Sequence, residues 1–292
     1  MQRTLHIFKI WFLGILTSLP IYTHAQNNSE MTPIPIPSFD QANGLQIMQL
    51  GYWFPVQTAA QSPAIILLHG CGGPYEPRST RLSSRMRDYT ALLNAEGFHV
   101  LVTDSLTTRG ERELCTQRIG SRKITQTQRR RDALGALNWL SQQPEVDSQQ
   151  IGLLGWSHGG SNVLAATNLK HPEVVQAGLK PRFAIAFYPG CSDDLKRGYH
   201  PSAPVLILMG AADDWTPPNP CLALVGQATE PRPLIELYPN AYHGFDSTTP
   251  VQVRLDVPNG VRPGFGVHVG GNPEARTAAR ARLIQFIRQQ IQ

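Results

Sequence analysis

The chain of 292 residues has only four cysteines, Cys71, Cys115, Cys191 and Cys221. None stands in a C-x-x-C pair or a Cys/His cluster with zinc spacing, so no metal is expected. Long apolar runs are equally scarce. The longest, Ile10 to about Leu19, follows Arg3 and Lys9 and precedes the small-residue stretch Thr23-His24-Ala25. It is about half of the ~20 residues that a membrane-spanning helix needs. Residues 1–25 therefore read as a secretory signal peptide, with a mature chain starting near Gln26 and no membrane anchor after cleavage. A large charge excess is also missing. Without Arg3 and Lys9, 24 basic residues face 21 acidic ones, a balance that calls for neither nucleic acid nor a membrane surface. Internal repeats are absent too.

What remains is one large domain's worth of chain. Residues 26–44, rich in Asn, Ser, Pro and Gln, read as an extended, poorly ordered leader, and residues 45–292 as a single catalytic domain. From residue 45, short apolar runs alternate with helical patterns. "LQIMQLGYWF" reads as an exposed or edge strand. "AIILLHG", "FHVLVTD", "IGLLGW", "RFAIAFY", "PVLILMG" and "PLIELYP" read as strands, and helices are expected over 81–95, 125–142, after Ser157, and over 273–291. Wholly apolar strands separated by helices specify an α/β fold with a mostly parallel sheet covered on both faces. Sites form at the strand ends of such sheets.

The stretch "GWSHG" carries the chemistry. It sits where a buried strand meets a helix, the context a nucleophile elbow requires, and makes Ser157 the candidate nucleophile. A serine hydroxyl needs a base, and the base needs a partner that fixes its tautomer. In this architecture the chain order is Ser, acid, His. Asp213 and Asp214 follow "PVLILMG", and His243 follows "PLIELYP". Asp213 is preferred for its loop spacing, and Asp246 is an outside candidate that supports the His243 loop. The glycine turn "HGCGG" at 69–73 supplies an oxyanion donor in the Cys71 N–H, and the His158 N–H, next after the nucleophile, supplies the other. Between Glu76 and Asp132, twelve Lys/Arg face seven Asp/Glu. This cluster is either a solvated helix face or a rim that attracts anionic substrates.

Taken in order, "HGCGG", "TDSLTTRG", "GWSHGG", "FYPGC", "GAADDWTPPNPC" and "AYHGFD" resemble the dienelactone hydrolase family of the α/β-hydrolase superfamily, over about residues 45 to 290. The resemblance implies a central sheet of about eight strands with helices on both faces, and no cofactor. Dienelactone hydrolase itself uses a cysteine nucleophile where this chain has Ser157. That points to a serine hydrolase acting on small carboxylic esters or lactones through an acyl-enzyme, secreted or periplasmic. Arginines of the family can bind a substrate carboxylate, and Arg109 in "TTRG" is the matching position, or else an arginine that fixes its loop. In this fold the strands before Cys71 and Cys115 are neighbours, as are those before Cys191 and Cys221, so the expected disulfides are Cys71–Cys115 and Cys191–Cys221. Two rival readings stand beside this one: a peptidase or other acyl-transfer enzyme on the same fold, and an exported binding protein that kept the fold and lost the chemistry.

Overall fold

A computed structural model describes residue 2, residues 32–58 and residues 60–291. The expected signal peptide lies outside the described residues. Among the described residues there are ten strands: β1 Ile34–Ala42, β2 Leu45–Phe54, β3 Ser62–Leu68, β4 His99–Asp104, β5 Val146–Trp156, β6 Phe183–Phe187, β7 Val205–Gly210, β8 Leu234–Tyr238, β9 Gln252–Arg254 and β10 Val267–Val269. The helices are α1 Ser84–Ala95, α2 Gln126–Leu140, α3 His158–Thr167, α4 Pro172–Ala177, α5 Ser192–Arg197, α6 Asn219–Gln227 and α7 Pro273–Gln290.

The first eight strands form one sheet in the order β1-β2-β4-β3-β5-β6-β7-β8. β1 and β2 are antiparallel to each other, and β2 is antiparallel to β4. From β4 to β8 every pair is parallel. This is the α/β-hydrolase architecture. The central strands are buried throughout: β4, β6 and β7 expose no residue. Their continuous apolar runs reflect cover by helices on both faces.

The leader expected over residues 26–44 is corrected by β1. Pro35 and Pro37 lack an N–H and made the stretch read as structureless, but an outermost strand tolerates proline because one of its edges needs no donor. Ile34 to Pro37 pair with Gly51 to Met48. The strand alternates its burial, sending Ile36, Ser38 and Asp40 inward. Consequently β2, expected as an exposed or edge strand, lies one place in from the edge. The sheet thus takes in residues from Ile34, eleven before the expected start at 45. Beyond the central sheet, β9 and β10 form a small antiparallel hairpin, and Val269 bridges to His243.

Helix ends follow local chemistry. Thr125 caps α2 with a reciprocal capping box to Gln128. Ser83 caps α1, and Asn272 caps α7 ahead of Pro273 at its first position. Among the described residues no helix is long and apolar enough to cross a membrane.

Candidate active site

Ser157 sits between the end of β5 and the start of α3 with φ 54° and ψ −118°, outside the regions that L-residues favour. The surroundings hold it there. Its N–H donates to the Phe187 carbonyl at 2.9 Å, and its carbonyl accepts from the Ser161 N–H at 2.8 Å. The flanking glycines make room. A Cβ on Gly155 would lie 2.3 Å from the Gly159 oxygen, and one on Gly159 would lie 2.0 Å from the Leu68 oxygen. Only at this spacing can α3 press against the ends of β3 and β5. The turn places Ser157 Oγ in a cleft of about 750 Å³ that Cys71, His158, Trp215 and Thr216 also line.

The structure brings Ser157, His243 and Asp213 together. Asp213 Oδ1 accepts from the Trp215 and Thr216 N–H groups, both at 2.9 Å, which closes the loop after β7 into a tight turn. Its Oδ2 lies 2.8 Å from His243 Nδ1. An ionised carboxylate only accepts, so Nδ1 carries the imidazole proton and Nε2 presents its lone pair. Nε2 lies 2.9 Å from Ser157 Oγ. The Asp213 side chain is fully buried and that of His243 is 4% exposed, so water competes little for these bonds.

Asp214 faces elsewhere. Its two oxygens take the His268 N–H at 2.9 Å and His268 Nδ1 at 2.7 Å, tying the β9–β10 hairpin to the loop after β7. Asp246 is a buried hub. It accepts from Arg85, from Trp156 Nε1 at 3.0 Å and from the Tyr188 hydroxyl at 2.7 Å. Burial pushes its carboxyl up, but the Arg85 charge and these hydrogen bonds hold it below the usual carboxylate range. Asp246 thus joins Trp156, the residue before Ser157, to the loop after β6.

Cys71 and His158 both line the cleft beside Ser157. His158 is the first residue of α3, so its N–H is one of the donors a helix leaves unpaired at its start. Cys71 follows Gly70, whose carbonyl accepts from His69 Nδ1 at 2.6 Å. That bond aims the Cys71 N–H, across the same peptide, the opposite way. Cys71 is bonded to Cys115 and Cys191 to Cys221, with Cα–Cα distances of 5.0 and 5.1 Å.

Arg109 does not reach this site, which corrects the expected substrate contact. Its guanidinium forks onto both oxygens of Asp132 at 2.8 and 2.9 Å, and also donates to Asp40 at 3.0 Å and the Ser105 carbonyl at 2.8 Å. Two buried carboxylates, one brought by β1, hold it away from the cleft. Part of the basic cluster is matched in the same way: Arg130 and Arg131 pair with Glu173, and Arg131 also with Asp40. Arg122 is different. It lines the cleft and donates to the Gln117 carbonyl rather than to a carboxylate.

Three neighbours of the triad were not singled out from sequence. The Trp215 and Tyr188 rings each lie 4.6 Å from the His243 ring and cover it. Thr216 Oγ1 lies 3.0 Å from His243 Nδ1, 3.1 Å from Asp213 Oδ2 and 3.0 Å from the Tyr188 carbonyl. The run "DDWT" carried a signal for two of them, because an aspartate that starts a tight turn binds the N–H groups two and three residues on. Among the described residues no group of three or more His, Cys, Asp or Glu side chains could hold a metal ion.

Comparison with known proteins agrees with this architecture. The pattern of the dienelactone hydrolase family matches residues 51–291. In sequence, the chain is 26% identical over 144 residues to acylamino-acid-releasing enzyme 2 of Oryza sativa subsp. japonica; the match covers 48% of this chain and only 17% of the rice protein. In structure, it resembles a putative dienelactone hydrolase of Klebsiella pneumoniae, with TM-score 0.59 and 17% identity over 88% of this chain and 99% of that one. It also resembles a carboxylesterase of Lactobacillus plantarum, with TM-score 0.60 and 16% identity over 89% and 98% of the two chains. Identities this low speak for the fold, while the family pattern spans most of the sequence: the chain is a hydrolase-fold protein that belongs to the dienelactone hydrolase family.

Proposed function

We propose that this protein is an exported serine hydrolase that cleaves carboxylic esters or lactones through Ser157, His243 and Asp213. The observation that carries the reading is the continuous chain from Ser157 Oγ through His243 to Asp213 at the floor of an open cleft. In the reaction His243 Nε2 takes the hydroxyl proton as Ser157 Oγ attacks the substrate carbonyl carbon. The tetrahedral oxyanion is held by the Cys71 and His158 N–H groups. The imidazolium, stabilised by Asp213, then gives its proton to the leaving alkoxide, and water activated by the same histidine hydrolyses the acyl-enzyme.

Export is supported by two disulfides, which persist in oxidising compartments, together with the secretory pattern of residues 1–25. On this reading the mature chain is one catalytic domain, secreted or periplasmic. Substrates that carry an anionic group fit the cleft better than neutral ones, with Arg122 rather than Arg109 as their partner. A second reading, a peptidase releasing N-acylated amino acids, follows from the name of the rice relative.

Labelling with a fluorophosphonate, followed by kinetics on a panel of p-nitrophenyl esters, anionic lactones and an N-acetylamino-acid p-nitroanilide, separates these. Labelling at Ser157 with ester or lactone turnover is expected. Absence of both would leave a binding protein, and turnover of the anilide alone would favour the peptidase.

A further inference from the structure

Arg129 is the largest charged side chain that the fold buries completely. Burying a guanidinium is costly unless a carboxylate faces it. Arg109, on the neighbouring loop, has two carboxylates. Arg129 donates instead from Nη2 to the His69 carbonyl at 2.7 Å, and its Nη1 lies 2.8 Å from His158 Nδ1. Its Nε, also buried, has no partner. The charges that act on it belong to Asp104, Asp132 and Arg109, which do not line the cleft.

The two groups it grips belong to the two walls of the oxyanion turn. His69 leads into Gly70 and Cys71, and His158 opens α3. Arginine has donors only, so His158 Nδ1 must accept, and its ring is neutral with the proton on Nε2. His69 takes the opposite tautomer. Its Nδ1–H donates to the Gly70 carbonyl at 2.6 Å, leaving Nε2 to accept the Ser105 N–H at 3.3 Å. Further bonds brace the same corner. Gln126 Nε2 donates to the His158 carbonyl at 3.0 Å, and Asn162 Nδ2 donates to the Arg129 carbonyl at 3.0 Å. The first turn of α2 thus holds the two segments that carry the donor N–H groups.

We infer that Arg129 is a positioning residue for the oxyanion hole, clamping the Cys71 and His158 peptides through the His69 carbonyl and the His158 ring. The inference rests on the serine-hydrolase reading. It acts on the transition state, because the spacing of the two N–H groups matters only once an oxyanion forms between them. Loosening the clamp lowers kcat and leaves ground-state binding alone.

The test measures kcat, KM and inhibition by an aryl trifluoromethyl ketone, which forms a tetrahedral adduct, on the full mature chain. Losing a whole oxyanion donor costs about 10²- to 10³-fold in kcat. Arg129→Met should therefore lower kcat by about 10- to 100-fold, weaken the ketone in parallel, and leave KM within about threefold. His158→Leu, which removes only the acceptor of one arm, should do the same. His158→Asn, whose Oδ1 restores an acceptor near Nδ1, should recover most of that loss. If Arg129→Met fails to fold, the His158 pair decides. The inference is overturned if the folded variants keep wild-type kcat and ketone affinity, if the loss lies in KM, or if His158→Asn is no better than His158→Leu. A wild-type protein that takes up no fluorophosphonate and turns over no ester would instead sink the underlying serine-hydrolase reading.

Discussion

Arg109 and Arg129 make an instructive pair. Arg129 is fully buried and the Arg109 side chain only 10% exposed, and they sit 20 residues apart in the same basic stretch. Around Arg109, the Asp40 and Asp132 carboxylates and the Ser38 hydroxyl close a network that sews β1 to α2 and to the loop after β4. Around Arg129, the acceptors are a backbone carbonyl and a neutral imidazole beside Ser157. One region balances its charges and serves the fold. The other leaves a cation without a contacting carboxylate beside the proposed oxyanion turn. Charge alone, read along the sequence, treats them alike; what distinguishes them is which partners the sheet order delivers.

This contrast can be broken from either side. The largest effect belongs to the cleft. Ser157→Ala should lose about 10⁶-fold in kcat, as triad nucleophiles elsewhere do, with no comparable loss of stability, and retention of a tenth of the esterase activity would refute Ser157 as nucleophile. Asp213→Asn should cost about 10⁴-fold through the wrong imidazole tautomer. Asp214→Asn, whose side chain bonds His268 rather than His243, should cost far less, and the reverse ranking would transfer the acid's role to Asp214.

At the other region the expectation inverts. Arg109→Met leaves Asp40 and Asp132 short of their partner, so about 3–5 kcal/mol of stability should go, visible in the urea or thermal midpoint. The kcat/KM of the folded fraction should stay within about threefold for neutral and anionic esters alike. A selective loss on the anionic ester would show that Arg109 contacts substrate after all.

The smallest effect comes from the two neutral histidines. Burial, reinforced by the Arg129 charge, lowers His69 to about 3 and pushes His158 well below its ordinary value. When the chain unfolds, both recover the ordinary value of about 6.5. Below that pH the unfolded state binds protons that the folded state refuses, so stability falls on acidification, from about pH 6.5 towards 3. The limiting slope is about 1.4 kcal/mol per pH unit for each histidine. Thermal midpoints between pH 7 and 5 should show it, and replacing His69 with Gln should flatten it. An unchanged slope would mean that His69 is protonated in the folded protein.

Much of this molecule is written locally. Strand and helix types of the central sheet follow from apolar runs and caps, because a strand buried on both faces has no use for polar residues. The elbow is legible because Gly155 and Gly159 must be glycine for a helix to approach two strand ends within backbone contact. The order of Ser157, Asp213 and His243 follows from the chain's progress through that sheet. Other features depend on contacts between distant segments. Pro35 and Pro37 argue against a strand until an outer edge is available to receive them. Loop spacing leans towards Asp213 over its neighbour Asp214, but it is the arrival of His243 on one side and His268 on the other that separates them. The same holds for the arginines. Their roles are set by groups contributed from β1, α2, α3 and the turn after β3, and hydrogen bonds of about 3 Å between residues tens of positions apart are a property of the packed fold, not of any stretch of sequence.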